Sequence, residues 1–280
     1  MTQSIKHDRE FKFTKKDFDE LRKLSNAYTG IIVSDDKFDM YYARLSKRLR
    51  TLHLNSFKEY VEYLKNNDAS EFTPFINSIT TNLTSFFREN HHFEYMKQTI
   101  LPAVSVSGSG AIKVWSAGCS TGEEAYSISI VLADYYKNKF SYSAKIFASD
   151  IDTTVLATAA LGVYDESKLK NIDNACIKKW FLKGKDKKKG FVRVKKQLQD
   201  IISFSQVNLI MDWPIKEKFN VIFCRNVIIY FDKPTKISLL SRLIDQLTPG
   251  GFLILGHSES VQGLTDRLKT VGKTMYQKVK

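Results

Sequence analysis

The residues best suited to chemistry near the middle of the chain are two adjacent carboxylates. Glu123 and Glu124 follow Gly118 and Gly122 in the run Gly-Cys-Ser-Thr-Gly-Glu-Glu. A glycine turn before a helix binds pyrophosphate in dinucleotide folds, but two carboxylates in the first turn would repel a phosphate. A cationic ligand such as S-adenosylmethionine, with its sulfonium and ammonium groups, fits this turn better. The alternative is that both glutamates only complement the helix dipole, worth roughly a few tenths of a kcal/mol each.

A second acidic position is Asp150, which ends the apolar run 144–149. In a doubly wound sheet, the acid at the tip of the second strand accepts hydrogen bonds from the ribose hydroxyls of the ligand. Asp152 is the weaker candidate because it can cap a helix that starts near Thr153. The glycine turn and Asp150 together therefore favour a nucleoside ligand at the carboxyl ends of the strands.

The elements that must position these side chains follow from hydrophobic periodicity. Short β-branched runs predict strands, and apolar residues at helical spacing predict the helices between them. The predicted core strands are 112–117, 144–150, 201–209, 219–226 and 252–257, with 274–279 at the sheet edge. The predicted helices are 122–138, 152–162 and 236–247. This alternation indicates an α/β fold with a doubly wound, Rossmann-like sheet.

The fourth predicted strand has a near-continuous apolar run, Phe-Asn-Val-Ile-Phe-Cys, which is typical of a central parallel strand buried on both faces. It ends at Arg225 and Asn226. Residues at the carboxyl tip of such a strand face the ligand crevice. Tyr230 follows closely enough to project its hydroxyl into the same crevice.

Residues 1–90 are predicted to form a small helical domain and linker, and residues 91–280 the α/β domain. Arg44, Lys47 and Arg48 lie three or four residues apart on one predicted helix and form a basic ridge. The ridge has no acidic partners at i,i+4, which leaves it free to contact an acidic helix. A solvated helix face is the alternative interpretation.

The segment that joins the two predicted domains mixes polar and aromatic residues. Asn82, Thr84 and Arg88 alternate with aromatic and aliphatic side chains, a mixture that suits the wall of a cleft. The plainer interpretation is a junction with surface polar groups. The pair His91-His92 is interpreted as a surface pair, because no acid or cysteine stands at metal-ligand spacing. No metal site is predicted.

Composition restricts the class of protein. The 280 residues are 43% hydrophobic and 12% aromatic, as in a globular protein. No uncharged run approaches the ~18 residues needed to span a bilayer, and the first residues have no apolar signal region. Three widely spaced cysteines predict neither a disulfide framework nor a zinc site. These features predict a cytoplasmic protein without membrane insertion.

The net charge of +13 is concentrated between Lys168 and Leu198, where lysines and arginines far outnumber acids. Within this segment, Gly190-Phe-Val-Arg-Val has the period of a short hairpin inserted into the main sheet. Such a basic block is typical of a docking surface for nucleic acid, a membrane or an acidic protein. A solvated loop that binds nothing is an equally valid interpretation.

Five ordered motifs together resemble the bacterial chemotaxis-receptor glutamate methyltransferases, the CheR family. The motifs are Thr81-Asn-Leu-Thr-Ser-Phe-Phe-Arg-Glu, Trp115-Ser-Ala-Gly-Cys-Ser-Thr-Gly-Glu-Glu-Ala-Tyr-Ser, Phe147-Ala-Ser-Asp-Ile-Asp, Phe223-Cys-Arg-Asn-Val-Ile-Ile-Tyr-Phe and Gly256-His-Ser-Glu-Ser. The resemblance covers nearly the whole chain. It implies a methyltransferase sheet with an all-α N-terminal domain and a small antiparallel β insertion at about 180–204.

The resemblance also implies a reaction. A protein-glutamate O-methyltransferase of this family uses S-adenosylmethionine to esterify glutamate side chains on the helical cytoplasmic bundle of chemoreceptors, and S-adenosylhomocysteine is the product. No metal and no nucleic acid take part, and a monomer is expected. The lysine-rich run Lys183-Gly-Lys-Asp-Lys-Lys-Lys-Gly departs from the glycine-containing loops that bind receptor tail peptides in some members.

Carried over residue by residue, the resemblance assigns three sets of site residues. The cofactor contacts are Asn82, Thr84, Arg88, Glu124, Asp150, Asn208, Leu209, Arg225 and Asn226. The residues that handle the substrate carboxylate are Arg88 and Tyr230. The residues that bind the receptor are Arg44, Lys47 and Arg48.

Two other functions remain as alternatives. The basic segment would suit a nucleic-acid methyltransferase, but the fourth strand is followed by Arg225-Asn226-Val-Ile-Ile-Tyr and not by the Asn-Pro-Pro-Tyr type of motif of amino-group methyltransferases. A regulator that binds the cofactor without turnover is the other alternative. The presence of both Arg88 and Tyr230 argues against it.

Overall fold

The computed structural model describes residues 9–66, 70–106, 111–137 and 144–279. The chain divides into two compact units, Met1–Thr81 and Asn82–Lys280. Buried aromatic and aliphatic side chains occur in both units. Among the helices in these ranges, none combines the length and the apolar character that crossing a bilayer requires.

The first unit is helical. Its helices are α1 (Lys15–Thr29), α2 (Phe38–Leu52), α3 (Phe57–Asn66) and α4 (Phe72–Ile79). Helix α1 begins after Thr14, which forms a capping box with Asp17, and ends at Gly30, whose φ is 73°. The left-handed conformation of Gly30 is the usual end of a helix. Helical spacing predicts four inward-facing residues on α2; Tyr41, Leu45 and Leu49 are buried, whereas Met40 is only half-buried.

The second unit is built on one large sheet and one small sheet. The strands are β1 (Ile112–Ala117), β2 (Ala144–Asp150), β3 (Val163–Asp165), β4 (Phe181–Lys183), β5 (Phe191–Val194), β6 (Ile202–Gln206), β7 (Phe219–Cys224), β8 (Leu247–Leu255), β9 (Leu268–Gly272) and β10 (Met275–Lys278). Seven strands of the described chain form the large sheet, in the order β6-β2-β1-β7-β8-β10-β9. The five strands β6, β2, β1, β7 and β8 run parallel to one another. Strand β10 pairs antiparallel with β8 on one side and with β9 on the other.

The second unit also contains helices, two of which lie between consecutive parallel strands: Glu123–Tyr136 between β1 and β2, and Lys233–Gln246 between β7 and β8. The helices are α5 (His91–Tyr95), α6 (Leu101–Val106), α7 (Glu123–Tyr136), α8 (Thr153–Leu161), α9 (Asn174–Trp180), α10 (Lys196–Gln199) and α11 (Lys233–Gln246). Strands β1 and β7 lie at the centre of the sheet and are almost wholly buried. The near-continuous apolar run of β7 is typical of a strand covered on both faces. The predicted α/β fold class is confirmed.

Two strand predictions are wrong in detail. The segment predicted as a third core strand contains β6, which lies at the sheet edge, pairs only with β2 and is at least partly exposed along its length. The segment predicted at the opposite edge contains β10, which lies between β8 and β9. The true edge strand, β9, has too few apolar residues to give a strand pattern of its own.

The small sheet is antiparallel and has the order β3-β5-β4 in the described chain. It begins earlier than the predicted insertion at 180–204, because β3 starts at Val163. Only Tyr164 of this three-residue strand is buried, so periodicity could not reveal it. The predicted range also reaches into Ile202–Gln206, which belongs to the large sheet. The lysine-rich run connects β4 to β5 through a 3-10 turn, Asp186–Lys188.

Candidate functional site

The parallel strands of the large sheet end at a common edge. In the strand register, Ala117 of β1 pairs with Ser149 of β2, and Cys224 of β7 pairs with Leu255 of β8. The loops that follow these strands therefore begin side by side. In doubly wound sheets the ligand crevice lies outside this edge. The candidate site is built from these loops.

The glycine turn after β1 is shaped by two close contacts. The N–H groups of Gly118 and Cys119 both donate to the carbonyl oxygen of Ser149, at 2.8 and 2.9 Å. Gly118 has a φ of 82°, and a Cβ there would lie 2.5 Å from Cγ2 of Val227. Only glycine meets both conditions without strain. The turn thus brings the main chain close to the loop after β7.

Asp150, the last residue of β2, and Asp152 have different hydrogen-bond partners. The Asp150 carboxylate is 8% exposed and accepts hydrogen bonds from the N–H groups of Ser120 and Asp152, at 2.8 and 3.0 Å. Burial raises the pKa of Asp150, and these N–H groups oppose that rise. Asp152 caps helix α8 by accepting a bond from the N–H of Thr154 at 2.8 Å, which confirms its predicted capping role. It also accepts a bond from Nδ2 of Asn82 at 2.7 Å.

The segment before α5 lies against the glycine turn. The carbonyl oxygen of Asn82 accepts a hydrogen bond from Oγ of Ser120 at 2.9 Å. Thr84 and Arg88 are half-buried, and Nη1 of Arg88 donates to the carbonyl oxygen of Leu83 at 3.0 Å. The interpretation of this segment as a junction with surface polar groups is wrong for Asn82, whose amide and carbonyl both bind the strand-tip loops.

The loop after β6 is held beside Asp150. The N–H of Val207 donates to the carbonyl oxygen of Asp150 at 3.0 Å. The next two residues are the predicted contacts Asn208 and Leu209. Oδ1 of Asn208 accepts a bond from the N–H of Ile210 at 3.2 Å, and Leu209 is buried. Asp150 and the predicted pair thus share one corner of the strand edge.

Arg225, at the tip of β7, is a buried cation shared by two carboxylates. Its side chain is 2% exposed, and its guanidinium lies 3.1 Å from Oε2 of Glu124 and 3.3 Å from Oε2 of Glu89. It also donates through Nη2 to the carbonyl oxygen of Arg88. Oε1 of Glu124 accepts a bond from Oγ of Ser116 at 2.7 Å. Within the described residues, the Arg225 Nε is a buried donor without an acceptor.

The two carboxylates beside Arg225 differ in acidity. Burial raises the pKa of Glu124, although Arg225 and Ser116 oppose the rise. Burial also acts to raise the pKa of Glu89, but the His257 hydrogen bond and the Arg225 charge outweigh it and lower this pKa to about 2. The His257 Nδ1 lies 3.0 Å from Oε1 of Glu89. Glu89 therefore stays ionised, and the site retains negative charge beside Arg225.

Glu89 is a residue of the candidate site that the sequence analysis did not single out. It directly follows Arg88 in the first of the five motifs, and its φ of 57° shows that the chain turns sharply there. Two of its close ionisable neighbours, Arg225 and His257, are distant in the sequence. The third, His92, is near in the sequence but was interpreted as a surface residue. The only available signal was its position in the motif.

His92 is not a surface residue as predicted. Its side chain is fully buried, and Nε2 shares a hydrogen bond of 2.9 Å with Oγ1 of Thr274. Burial, together with the positive charges of Arg225 and His91, lowers the pKa of His92 to about 3. The imidazole is therefore neutral near pH 7. Across the described ranges, no group of three His, Cys, Asp or Glu side chains is arranged to hold a metal ion.

Asn226 and Tyr230 lie on the loop after β7. Asn226 has a φ of 58°, in the left-handed region. A 3-10 turn, Ile228–Tyr230, follows it. Tyr230 is 36% exposed, which leaves its ring accessible to a large acceptor.

The basic ridge of the first unit is not free as predicted. Arg44 donates to the carbonyl oxygen of Thr80 at 2.6 Å, and Arg48 pairs with the buried Glu71 at 2.6 and 2.9 Å. Both acceptors lie outside α2, so the i,i+4 rule could not find them. Lys47 is exposed, and no ion pair of its ammonium occurs among the described residues. The ridge is reduced to one available cation of the three.

The side chains of the site are of the types that bind a nucleoside ligand with charged groups. The Asp150 carboxylate is suited to a ribose diol, the Arg225 guanidinium to a carboxylate, and the acids Glu124 and Glu89 to a cation. These groups match the diol, the carboxylate and the positive charges of S-adenosylmethionine. The orphaned Nε of Arg225 supports this fit, because a buried donor without an acceptor is costly. Glu124 is bound to both Arg225 and Ser116, so it does more than complement the dipole of α7.

Comparisons with known proteins agree with this geometry. Residues 82–277 match the family described as CheR methyltransferase, SAM binding domain, and residues 16–80 match CheR methyltransferase, all-alpha domain. The chain is 41% identical over 270 residues to chemotaxis protein methyltransferase 2 of Pseudomonas aeruginosa, covering 96% of this chain and 95% of that protein. It is 42% identical over 261 residues to the chemotaxis protein methyltransferase of Escherichia coli, covering 92% and 89%. For the Salmonella typhimurium protein of that name the identity is 43% over 249 residues, covering 88% and 84%.

Proposed function

This chain belongs to the CheR methyltransferase family, and from that premise we propose that it forms methyl esters on glutamate side chains of chemoreceptors. The methyl donor is S-adenosylmethionine, the product is S-adenosylhomocysteine, and the acceptor is the helical cytoplasmic bundle of the receptor. The observation that carries the proposal is the identity of 41% over 96% of the chain to a chemotaxis protein methyltransferase. The cytoplasm is the compartment, because the acceptor lies there.

The donor would be held by residues at the ends of four strands and by residues of the segment before α5. Arg225 would bind its carboxylate, Glu124 its ammonium and Asp150 its ribose hydroxyls. Main-chain and side-chain groups of the remaining predicted contacts would line the same crevice: Asn82, Thr84, Arg88, Asn208, Leu209 and Asn226. Glu89 would hold Arg225 together with Glu124, since both acids lie within 3.3 Å of the guanidinium.

The acceptor needs orientation more than activation. A glutamate side chain with a pKa near ~4.3 is already ionised at pH 7, so its oxygen needs no general base. When bound, S-adenosylmethionine supplies the electrophilic methyl group. Arg88 would hold the spare oxygen of the acceptor carboxylate through its fork of donors, and the Tyr230 hydroxyl would orient it. Such alignment of the reacting atoms can lower the barrier by several kcal/mol.

Receptor docking would use the exposed part of the basic ridge. Lys47 would make the direct contact with an acidic helix, while Arg44 and Arg48 would shape the surface around it. The lysine-rich turn between β4 and β5 is a second basic surface, and its sequence does not favour tail-peptide binding. The relatives favour neither the nucleic-acid methyltransferase nor the non-catalytic regulator.

Transfer of a radiolabelled methyl group to receptor-containing membranes tests this function. We expect label in the receptor that alkali releases as methanol, the mark of a methyl ester. We also expect Arg88→Ala to abolish transfer, because the spare carboxylate oxygen loses its donors. Circular dichroism of the variant serves as the control for folding. Wild-type turnover by Arg88→Ala would remove Arg88 from the mechanism, and label that resists alkali would exclude a glutamate ester.

A further inference from the structure

Glu259 is a buried carboxylate with no role in the mechanism above. It is 4% exposed, and it belongs to the motif Gly256-His-Ser-Glu-Ser. Its Oε1 accepts bonds from the N–H groups of Val227 and Ile229, at 2.9 and 3.2 Å. Its Oε2 accepts bonds from the N–H groups of Asn226 and Gly256, at 2.8 and 2.6 Å. One side chain therefore binds four main-chain donors.

These donors come from the loops that follow two adjacent strands. Asn226, Val227 and Ile229 lie after β7, and Gly256 lies directly after β8. A carboxylate has about four lone-pair positions, so these four bonds occupy them all. Glu259 is thus not available to bind a ligand itself. It instead ties the loop after β7 to the end of β8.

The tied loop contains a residue in an uncommon conformation. Asn226 has a φ of 58°, in the left-handed region that few side-chain-bearing residues adopt and that asparagine tolerates best together with aspartate. The bond from its N–H to Glu259 helps to hold this conformation. Gly256 also leaves the space that Asn226 needs, because a Cβ at position 256 would lie 2.6 Å from Nδ2 and 2.8 Å from the main-chain N of Asn226. Two features of one motif therefore act on Asn226.

We propose that Glu259 is a positioning residue that fixes the loop 225–230, and with it the cofactor contact Asn226 and the acceptor contact Tyr230. This inference rests on the proposed function, because that function makes both residues contacts. Glu259→Gln keeps the shape of the side chain but replaces one oxygen by an NH2 group. That group would face two N–H donors, either those of Val227 and Ile229 or those of Asn226 and Gly256. In either orientation at least one donor of the loop loses its acceptor, so the loop must shift.

Calorimetric titration of the full chain with S-adenosylhomocysteine tests the inference without any turnover. We expect Glu259→Gln to raise the dissociation constant roughly tenfold, with a stoichiometry that stays near one. A residue needed only for folding would give fewer binding sites with an unchanged dissociation constant. That result, or wild-type affinity in Glu259→Gln, would overturn the inference.

Glu71→Gln is the matched control. Glu71 is also a buried carboxylate, 3% exposed, but it is bound by Arg48 and Tyr60 in the first unit. We expect this variant to be less stable than the wild type and to bind S-adenosylhomocysteine with wild-type affinity. An equal loss of affinity in both variants would count against a specific role of Glu259.

Two further variants complete the test. Gly256→Ala presses a methyl group on Asn226 without changing the carboxylate, so it should weaken binding even if Glu259→Gln does not fold. When Asn226→Ala is already present, adding Glu259→Gln should cause little further loss of affinity for S-adenosylhomocysteine, because Glu259 acts through Asn226. Losses of affinity that add up in the double variant would contradict this. If the wild type bound no S-adenosylhomocysteine, the proposed function would fail and this inference with it. Wild-type binding with an unchanged Gly256→Ala would overturn this inference alone.

Discussion

Single residues at the strand edge are controlled by the charges that surround them. Arg225, Glu89 and His92 form one buried group in which each charge affects the others. The arginine keeps Glu89 ionised and disfavours a proton on His92. Because a buried charge must be compensated, the protonation of this group is linked to folding.

The His92 environment makes stability depend on pH in a defined window. In the folded chain the pKa of His92 is lowered to about 3 from 6.5, by burial first and then by Arg225 and His91. Between these values the unfolded chain binds a proton that the folded chain does not. The free energy of unfolding therefore falls as the pH drops from 6.5 toward 3, by at most about 1.4 kcal/mol per pH unit. Glu89, with a pKa of about 2 against 4.5, adds a loss below about pH 4.5.

We expect His92→Gln to show a smaller loss of stability than the wild type between pH 7 and pH 5, because glutamine does not titrate. Urea unfolding at both pH values measures the difference. The control is His53→Asn, which replaces an exposed histidine with a φ of 55°, a conformation that asparagine tolerates. It should keep the wild-type pH dependence. Identical behaviour of His92→Gln and the wild type would refute a neutral buried imidazole.

At the scale of elements, strand ends and helix starts share the same side chains. Asp152 ends the loop after β2 and caps α8, and it also binds Asn82 of the segment before α5. Glu124 lies in the first turn of α7 and binds Arg225 at the tip of β7. Each of these acids joins two elements. A helix cap, Asp152, and a first-turn acid, Glu124, therefore cross-link the elements that surround the site.

The cap of α8 gives a prediction at this scale. Asp152→Ala should lower the free energy of unfolding by about 1 kcal/mol, because two N–H groups at the helix start lose their acceptor. Asp152→Asn should cost much less, since asparagine caps well and the Asn82 amide can turn to accept its NH2 group. Urea unfolding of the two variants measures both effects. Equal losses would show that the charge of Asp152 matters more than its cap.

At the scale of the molecule, the cofactor contacts and the basic ridge belong to different compact units. Every predicted cofactor contact lies in Asn82–Lys280, and Arg44, Lys47 and Arg48 lie in Met1–Thr81. The division is the one between the two CheR matches, at 82–277 and 16–80. A ligand that binds the native state protects the structure it contacts.

Hydrogen exchange followed by mass spectrometry tests this separation. We expect S-adenosylhomocysteine to slow exchange in peptides that contain Gly118, Asp150, Asn208 and Asn226, because their loops line the crevice. Peptides from α1 and α3 in the first unit are the internal control and should exchange as in the free protein. Equal protection of both units would place contacts of the ligand outside the second unit.

Local patterns in the sequence determined the fold class and much of the site. The near-continuous apolar run of β7 predicts a central strand, because burial on both faces leaves few polar positions. The glycine turn and the acid Asp150 at the end of β2 predict a nucleoside ligand. A turn that lets the ligand approach the main chain and a carboxylate for the ribose hydroxyls each need only a few residues, so the sequence shows them directly. The resemblance supplied the assigned contacts. Short or weakly apolar strands such as β3 and β9 could not be predicted, because their pairing partners stabilise them.

Only the tertiary structure decided which of the charged residues are available. Arg44 and Arg48 are held by groups outside their helix, His92 is buried, and Glu89 and Glu259 bind partners that follow other strands. Hydrophobic periodicity cannot predict such contacts, because most of them join residues that are far apart in the chain. Hydrophobic patterns act along the sequence and can be read from it, whereas ion pairs and main-chain bonds form only once the strand ends lie side by side.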